Sequence, residues 1–282
     1  MREYLRPHSL DEALGHLATG GFTVVAGCTD YYCRPDARPV SDNIIDLTGL
    51  DAVRGISEDD WHFRIAALTT WSELAKAGLP PQFDALVEAA RQVGGVQIQN
   101  AGSIGGNLCN ASPAADGIPP LLMLDASVEL QSVEGTRLLP LETFILGNRQ
   151  TALQPDELLT AVVVRKRPGR QASRFLKLGA RAYQVISIVM VAALLESDDE
   201  GRITHAAVAV GACSPAARRL VALEQELLGR PLAAAPLSTL LSPPHFAPLT
   251  PLSDVRGTAE YRLAAARLLV GRALDDLQER LQ

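Results

Sequence analysis

An α+β fold is predicted for this chain, and three observations predict it. The N-terminus carries a short strand–helix–strand pattern. The last third carries strand-like segments followed by two amphipathic helical stretches, the pattern of an antiparallel sheet covered on one face. Between these parts lies a basic segment marked by proline and glycine, Arg165-Lys166-Arg167-Pro168-Gly169-Arg170, which reads as a junction. With 47% hydrophobic residues among 282, the chain can bury a substantial core.

The elements follow in order. Ser9 and Glu12 have capping-box spacing, Leu10, Ala13, Leu14 and Leu17 keep helical spacing, and Gly20-Gly21 ends the run. Residues 22–26 read as a buried strand stopping at Gly27, and residues 43–47 as another. Residues 64–68 predict a further strand, followed by helices beginning near Thr70 and near Pro81. Residues 99–120 are rich in Gly, Asn, Ser, Ala and Pro with few long apolar side chains, and read as a poor core segment. Strands are expected at 127–133 and 158–164, then near 173–178. A long apolar run at 185–195, a turn at 198–201 and a strand at 203–211 complete the sheet, with helices over roughly 216–228 and 259–277. The expected domains are 1–170, divided into a small subdomain at about 1–55 and a larger one at about 56–170, and 171–282.

Charge and special residues exclude several classes. The formal net charge is −6, which gives no footprint for nucleic acid, and no run of Lys or Arg reads as a polybasic membrane anchor, so both partners are disfavoured. The first residues lack a signal-peptide stretch, and no segment offers the ~20 apolar residues of a membrane span, so a cytoplasmic protein is expected. Cys28, Cys33, Cys109 and Cys213 form no CxxC, and the five histidines form no HxxxH or HExxH; His8, His62, His205 and His245 are expected at element edges. No iron–sulfur cluster or zinc centre is expected, and no catalytic residue stands out.

Two glycine segments carry the chemistry. In Val25-Ala26-Gly27-Cys28-Thr29-Asp30 a strand runs into glycine and small or hydroxylic residues, so that N–H groups can converge on an anion; a plain strand-end turn looks the same. In Ala101-Gly102-Ser103-Ile104-Gly105-Gly106-Asn107 three glycines expose successive amides, Ser103 can supplement them, and Asp116 downstream suits ribose hydroxyls. A flexible surface loop is the plainer reading, but Ile104 and Leu108 imply packing. The segment is neither a Walker A loop nor a GxGxxG opening a Rossmann helix.

Together these segments resemble the flavin subunits of the molybdenum hydroxylase family, of the xanthine dehydrogenase and carbon monoxide dehydrogenase type. Its AGGT-like loop and TIGGN…ASPxxD segment stand here as Ala26-Gly27-Cys28-Thr29-Asp30 and Ser103-Ile104-Gly105-Gly106-Asn107…Ala111-Ser112-Pro113-Ala114-Ala115-Asp116. The likeness continues through Pro140-Leu141-Glu142-Thr143-Phe144, Asp156-Glu157-Leu158-Leu159, Phe175-Leu176-Lys177-Leu178-Gly179-Ala180-Arg181 and Asp254-Val255-Arg256-Gly257-Thr258-Ala259-Glu260-Tyr261-Arg262. It covers nearly the whole chain. Cys28 departs from the usual glycine or asparagine, and Ser103 replaces threonine.

The resemblance implies a two-part FAD-binding domain of the PCMH type, followed by an antiparallel sheet with covering helices like the C-terminal domain of CO dehydrogenase flavoproteins. It implicates Val24, Val25, Ala26, Gly27, Cys28, Thr29, Asp30, Tyr31, Ser103, Ile104, Gly105, Gly106, Asn107, Asp116, Leu159 and Lys177 in binding FAD. It also suggests that Tyr183 and Gln184 approach the flavin. The implied role is an oxidoreductase subunit that relays electrons from a small iron–sulfur subunit with 2Fe–2S clusters, next to a large molybdenum-cofactor subunit, in a dimer of heterotrimers. Two readings compete: a self-contained FAD oxidase of the vanillyl-alcohol-oxidase type, and a flavin-free assembly module.

Overall fold

A computed structural model describes residues 3–33 and 43–282. The N-terminal unit contains β1 (Tyr4–Leu5), α1 (Leu10–Ala18), β2 (Phe22–Val25) and β3 (Asn43–Asp46), with the strands in a parallel sheet of order β1-β3-β2. Ala13, Leu14 and Leu17 bury the inner stripe of α1 against Ile45, Leu47, Leu50 and Val53. Ser9 accepts the Glu12 N–H at 3.2 Å, but the Glu12 carboxylate accepts from His8 instead, so the expected capping box closes one residue early. Gly20 and Gly21 end the helix with φ of +76° and +80°.

The second unit runs through β4 (Ile56–Glu58), β5 (His62–Ala66), α2 (Trp71–Leu74), α3 (Asp84–Ala90), α4 (Val96–Ala101), α5 (Ile104–Asn110) and α6 (Ile118–Met123). It continues through β6 (Ser127–Ser132), β7 (Gly135–Pro140), α7 (Leu141–Phe144), β8 (Ile145–Gly147), β9 (Gln150–Thr151) and β10 (Leu158–Arg165). Its sheet is antiparallel, in the order β4-β5-β10-β6-β7. A reciprocal capping box forms here between Thr70 and Glu73, at the expected start of α2.

Residues 99–120 depart from the expectation of a poor core segment. Much of this stretch is helical, every residue of α6 is buried, and Ile104 and Leu108 are fully buried in α5. Small residues allow the close approach: a Cβ on Gly105 would lie 2.7 Å from the Ala67 Cβ. The Ile104 and Gly105 N–H groups donate to the Thr69 and Ala67 carbonyls at 3.0 and 2.8 Å, joining the start of α5 to the connection between β5 and α2.

The C-terminal unit comprises β11 (Arg170–Leu178), β12 (Val189–Ser197), β13 (Ile203–Gly211), β14 (Arg218–Arg219), α8 (Val221–Leu227) and α9 (Ala259–Leu281), with an antiparallel sheet of order β11-β12-β13-β14. Helices α8 and α9 cover one face, where Val191, Val208, Leu223 and Leu274 meet. The other face is not exposed: Phe175, Met190, Leu194 and Ala207 join the core of the second unit. The free edge of β11 is closed by α3, where Glu88 accepts the Phe175 N–H at 2.7 Å and pairs with Arg174 at 2.6 Å. That double burial explains the unbroken apolar sequence of β12. His205 lies inside β13 rather than at an edge. Among the described residues no helix is long and apolar enough to cross a membrane.

Candidate functional site

A cleft of about 970 Å³ opens where the three units meet. Its walls are the turn after β2, the glycine segment that starts α5, Leu158 and Leu159 at the start of β10, and the connection between β11 and β12. All sixteen residues implicated by the sequence line it except Ile104 and Lys177.

The first wall requires glycine. A Cβ on Gly27 would sit 1.8 Å from the Ala101 carbonyl oxygen, so the turn after β2 and the glycine segment touch backbone to backbone. Cys28 follows with φ +54°, a left-handed conformation that strains a side-chain-bearing residue by about 1–2 kcal/mol. This is why glycine or asparagine suits the position better. Burial, with Asp46 nearby, pushes the Cys28 thiol pKa up. The N–H groups of Gly27 and Cys28 have no protein acceptor among the described residues, which leaves two donors on the wall.

The second wall works differently from the expected row of open amides. The first-turn amides of α5 are taken: Ile104 and Gly105 donate to Thr69 and Ala67, and Gly106 donates to the Ser103 hydroxyl at 3.2 Å. Ser103 is therefore an N-cap, and Ile104 belongs to the core. Gly102, Ser103 and Gly105 also line the cleft, but the open surface is bare backbone at Gly106, where an added Cβ would meet only Ser103 Oγ at 3.1 Å, together with Asn107. Asn107 Oδ1 is buried without a hydrogen-bond partner.

Asp116 and Lys177 form a buried ion pair at 2.6 Å. Asp116 also accepts from Ser187 Oγ at 2.5 Å, and Lys177 donates to the Gln92 carbonyl at 3.1 Å. Burial pushes the Asp116 carboxyl up, against the opposing pull of Lys177 and Ser187. Asp116 thus spends both oxygens inside the protein, and Lys177 lies off the cleft, bridging β11 to Gln92, two residues beyond the end of α3. Gln184 is on the cleft, with φ +49°, whereas Tyr183 is 80% exposed and off it.

Sequence reasoning missed Arg149 and Arg181. Arg149, φ +54°, donates from Nη1 to Asn110 Oδ1 at 2.6 Å and to Asp30 Oδ2 at 3.2 Å. Arg181 donates from Nε and Nη2 to the Gln184 carbonyl at 3.1 and 2.5 Å. Arg181 closes a motif already noted; Arg149 follows no local signal. Among the described residues, no cluster of three or more His, Cys, Asp or Glu could hold a metal ion.

Known proteins match this architecture. Residues 1–165 match the family described as the FAD binding domain in molybdopterin dehydrogenase, and residues 174–277 match the CO dehydrogenase flavoprotein C-terminal domain. The chain is similar to the nicotinate dehydrogenase FAD-subunit of Eubacterium barkeri, 33% identical over 244 residues, covering 82% of this chain and 80% of that protein. It is 25% identical to the carbon monoxide dehydrogenase medium chain of Hydrogenophaga pseudoflava, covering 97% and 96%. A chain of the reconstituted CO dehydrogenase from Oligotropha carboxidovorans superposes with a TM-score of 0.92 at 26% identity, covering 99% of this chain and 98% of that one.

Proposed function

Because this chain belongs to the FAD-binding subunits of the molybdenum hydroxylase family, we propose that it is the electron-relay subunit of a multi-subunit dehydrogenase. FAD is its cofactor, and when bound supplies the redox chemistry, accepting electrons from 2Fe–2S clusters of a small partner subunit and delivering them to an acceptor. Substrate chemistry then belongs to a large molybdenum-cofactor subunit, and the assembly is a dimer of heterotrimers in the cytoplasm. Similarity to proteins named FAD-subunit and medium chain supports this reading. With the two domains divided at residue 170, most of the cleft comes from residues 1–170, and Arg181, Gln184, Val185 and Ile186 come from 171–282.

The residues present fit FAD. Gly27 and Cys28 offer N–H donors suited to a diphosphate, Gly106 offers close approach, and the unpartnered Asn107 Oδ1 can accept from a ligand donor. Leu158, Leu159, Val24 and Ile98 supply apolar walls for a ring system. The chain's own work is to bind and orient the cofactor and keep water from it. The observation that carries this reading is the contact of Gly27 with Ala101, which builds one concave wall from two distant glycine segments.

The purified chain should be yellow, release one FAD and hold no stoichiometric iron or molybdenum. It should be reduced by dithionite yet hydroxylate no purine, aldehyde, N-heterocycle or carbon monoxide. Co-purification should recover one iron–sulfur and one molybdenum protein. A lone flavoprotein that turns over an organic substrate would overturn this and favour the self-contained oxidase; a colourless protein unable to bind FAD would favour the assembly module.

A further inference from the structure

We propose that Arg149 is the cationic clamp for the cofactor's diphosphate, its open Nε–Nη2 edge taking phosphate oxygens when FAD binds. The inference rests on the assignment of FAD to this cleft, and adds a residue that neither glycine segment contains.

Arg149 stands in the tight connection between β8 and β9, in the left-handed region at φ +54°. Such a conformation persists where the surroundings over-determine it. Here they do: the Arg149 N–H donates to the Ala111 carbonyl at 2.9 Å, and Nη1 donates to Asn110 Oδ1 at 2.6 Å. The guanidinium is thereby held on the cleft wall. Its Nε and Nη2 have no acceptor among the described residues. Those two nitrogens form the edge of arginine that matches two oxygens of a phosphate.

Charge accounting singles out the same residue. A diphosphate brings negative charge into a cleft lined by Asp30, Asp116 and Glu157. Asp116 is paired with Lys177 and Glu157 with Arg137, each at 2.6 Å. Arg181, the other arginine on the cleft, has already committed its Nε and Nη2 to the Gln184 carbonyl. Arg149 keeps that edge open. Its pair with Asp30, at 3.2 Å through Nη1 with side chains 52% and 46% exposed, is a weak solvated contact that leaves this edge and most of the positive charge available to a phosphate. Asp30 follows Cys28 by two residues, at most ~7 Å along the chain, so the open amides of Gly27 and Cys28 lie within reach of the same anion.

The test is a titration of the full-length apoprotein with FAD, ADP and riboflavin, the last lacking any phosphate. Arg149→Gln should weaken FAD and ADP by about 10- to 100-fold, change riboflavin less than about twofold, and flatten the salt dependence of FAD affinity. Arg149→Lys, which keeps the charge without the planar edge, should fall between; it carries the test if the glutamine variant fails to fold, judged by its melting temperature. Unchanged FAD and ADP affinity in Arg149→Gln overturns the clamp, as does an equal loss for riboflavin, which would make Arg149 a brace for the loops only. A wild-type apoprotein that binds no FAD refutes the cofactor assignment itself.

Discussion

The Cα of Gly27 faces the carbonyl oxygen of Ala101 so closely that a methyl group on it would lie 1.8 Å away. Two segments more than seventy residues apart in sequence thus share one backbone surface, and the crossing is possible because Gly27 has no side chain where it meets the Ala101 carbonyl.

Gly27→Ala should therefore separate the two walls. The obstruction is backbone, which cannot rotate aside, so we expect destabilisation of about 3 kcal/mol together with loss of FAD. Urea unfolding and flavin content of the purified variant check this; a variant with wild-type midpoint and full flavin would refute it.

Gly105 and Gly106 should part company. An alanine at Gly105 meets Ala67 at 2.7 Å, so Gly105→Ala should lower the melting temperature of the apoprotein. At Gly106 only the Ser103 hydroxyl is near, at 3.1 Å, so Gly106→Ala should keep the fold and lose FAD affinity. Wild-type FAD affinity in Gly106→Ala would show that Gly106 does not face the ligand, and an equal thermal loss in both variants would refute the steric distinction between them.

Cys28→Gly should stabilise the chain modestly. Relief of the left-handed strain, about 1–2 kcal/mol, is offset by the 0.5–1 kcal/mol that glycine's extra chain entropy costs. The difference of those two effects is a net gain of roughly 0–1.5 kcal/mol. Cys28→Val, branched at Cβ, should lose stability. A gain for valine would contradict the backbone assignment.

Asp116→Asn leaves the Lys177 ammonium buried beside a neutral group. Losing one partner of a buried pair costs about 3–5 kcal/mol, and Lys177→Met should act similarly by stranding Asp116. The double variant should be less damaged than the sum of the singles, measured by urea midpoints. Strict additivity would mean the pair is not coupled.

Acid should act through Glu129 and Glu157. Hydrogen bonds from Arg64 and Arg137 hold these carboxyls below their ordinary value of 4.5. The unfolded chain then binds more protons than the folded one below 4.5, so this stabilisation is complete above that pH and is lost as pH falls through the folded values. Urea midpoints should hold near pH 6 and drop below 4.5, and Glu157→Gln should flatten part of the drop. A parallel acid profile in Glu157→Gln would sink the attribution.

Much of this protein was legible locally. Helical spacing from Leu10 to Leu17, the Thr70 start of α2 and the apolar run of β12 are set by neighbours in sequence, because hydrogen bonding within a helix turn and the burial pattern of a strand are short-range matters. The two glycine segments marked the cleft for the same reason, since a residue without Cβ signals close approach wherever it stands.

Only tertiary contact decided the rest. Composition reports side-chain volume, and small residues serve an open loop and a tightly packed helix equally; the packing of Gly105 on Ala67 made residues 104–110 a helix and consumed the amides that sequence left open. Whether a donor is free depends on the nearest acceptor in space. So it was the fold that brought Asp30 to Arg149 across 119 positions and Asp116 to Lys177 across 61, leaving one carboxylate half-exposed at the cleft and the other locked beneath it.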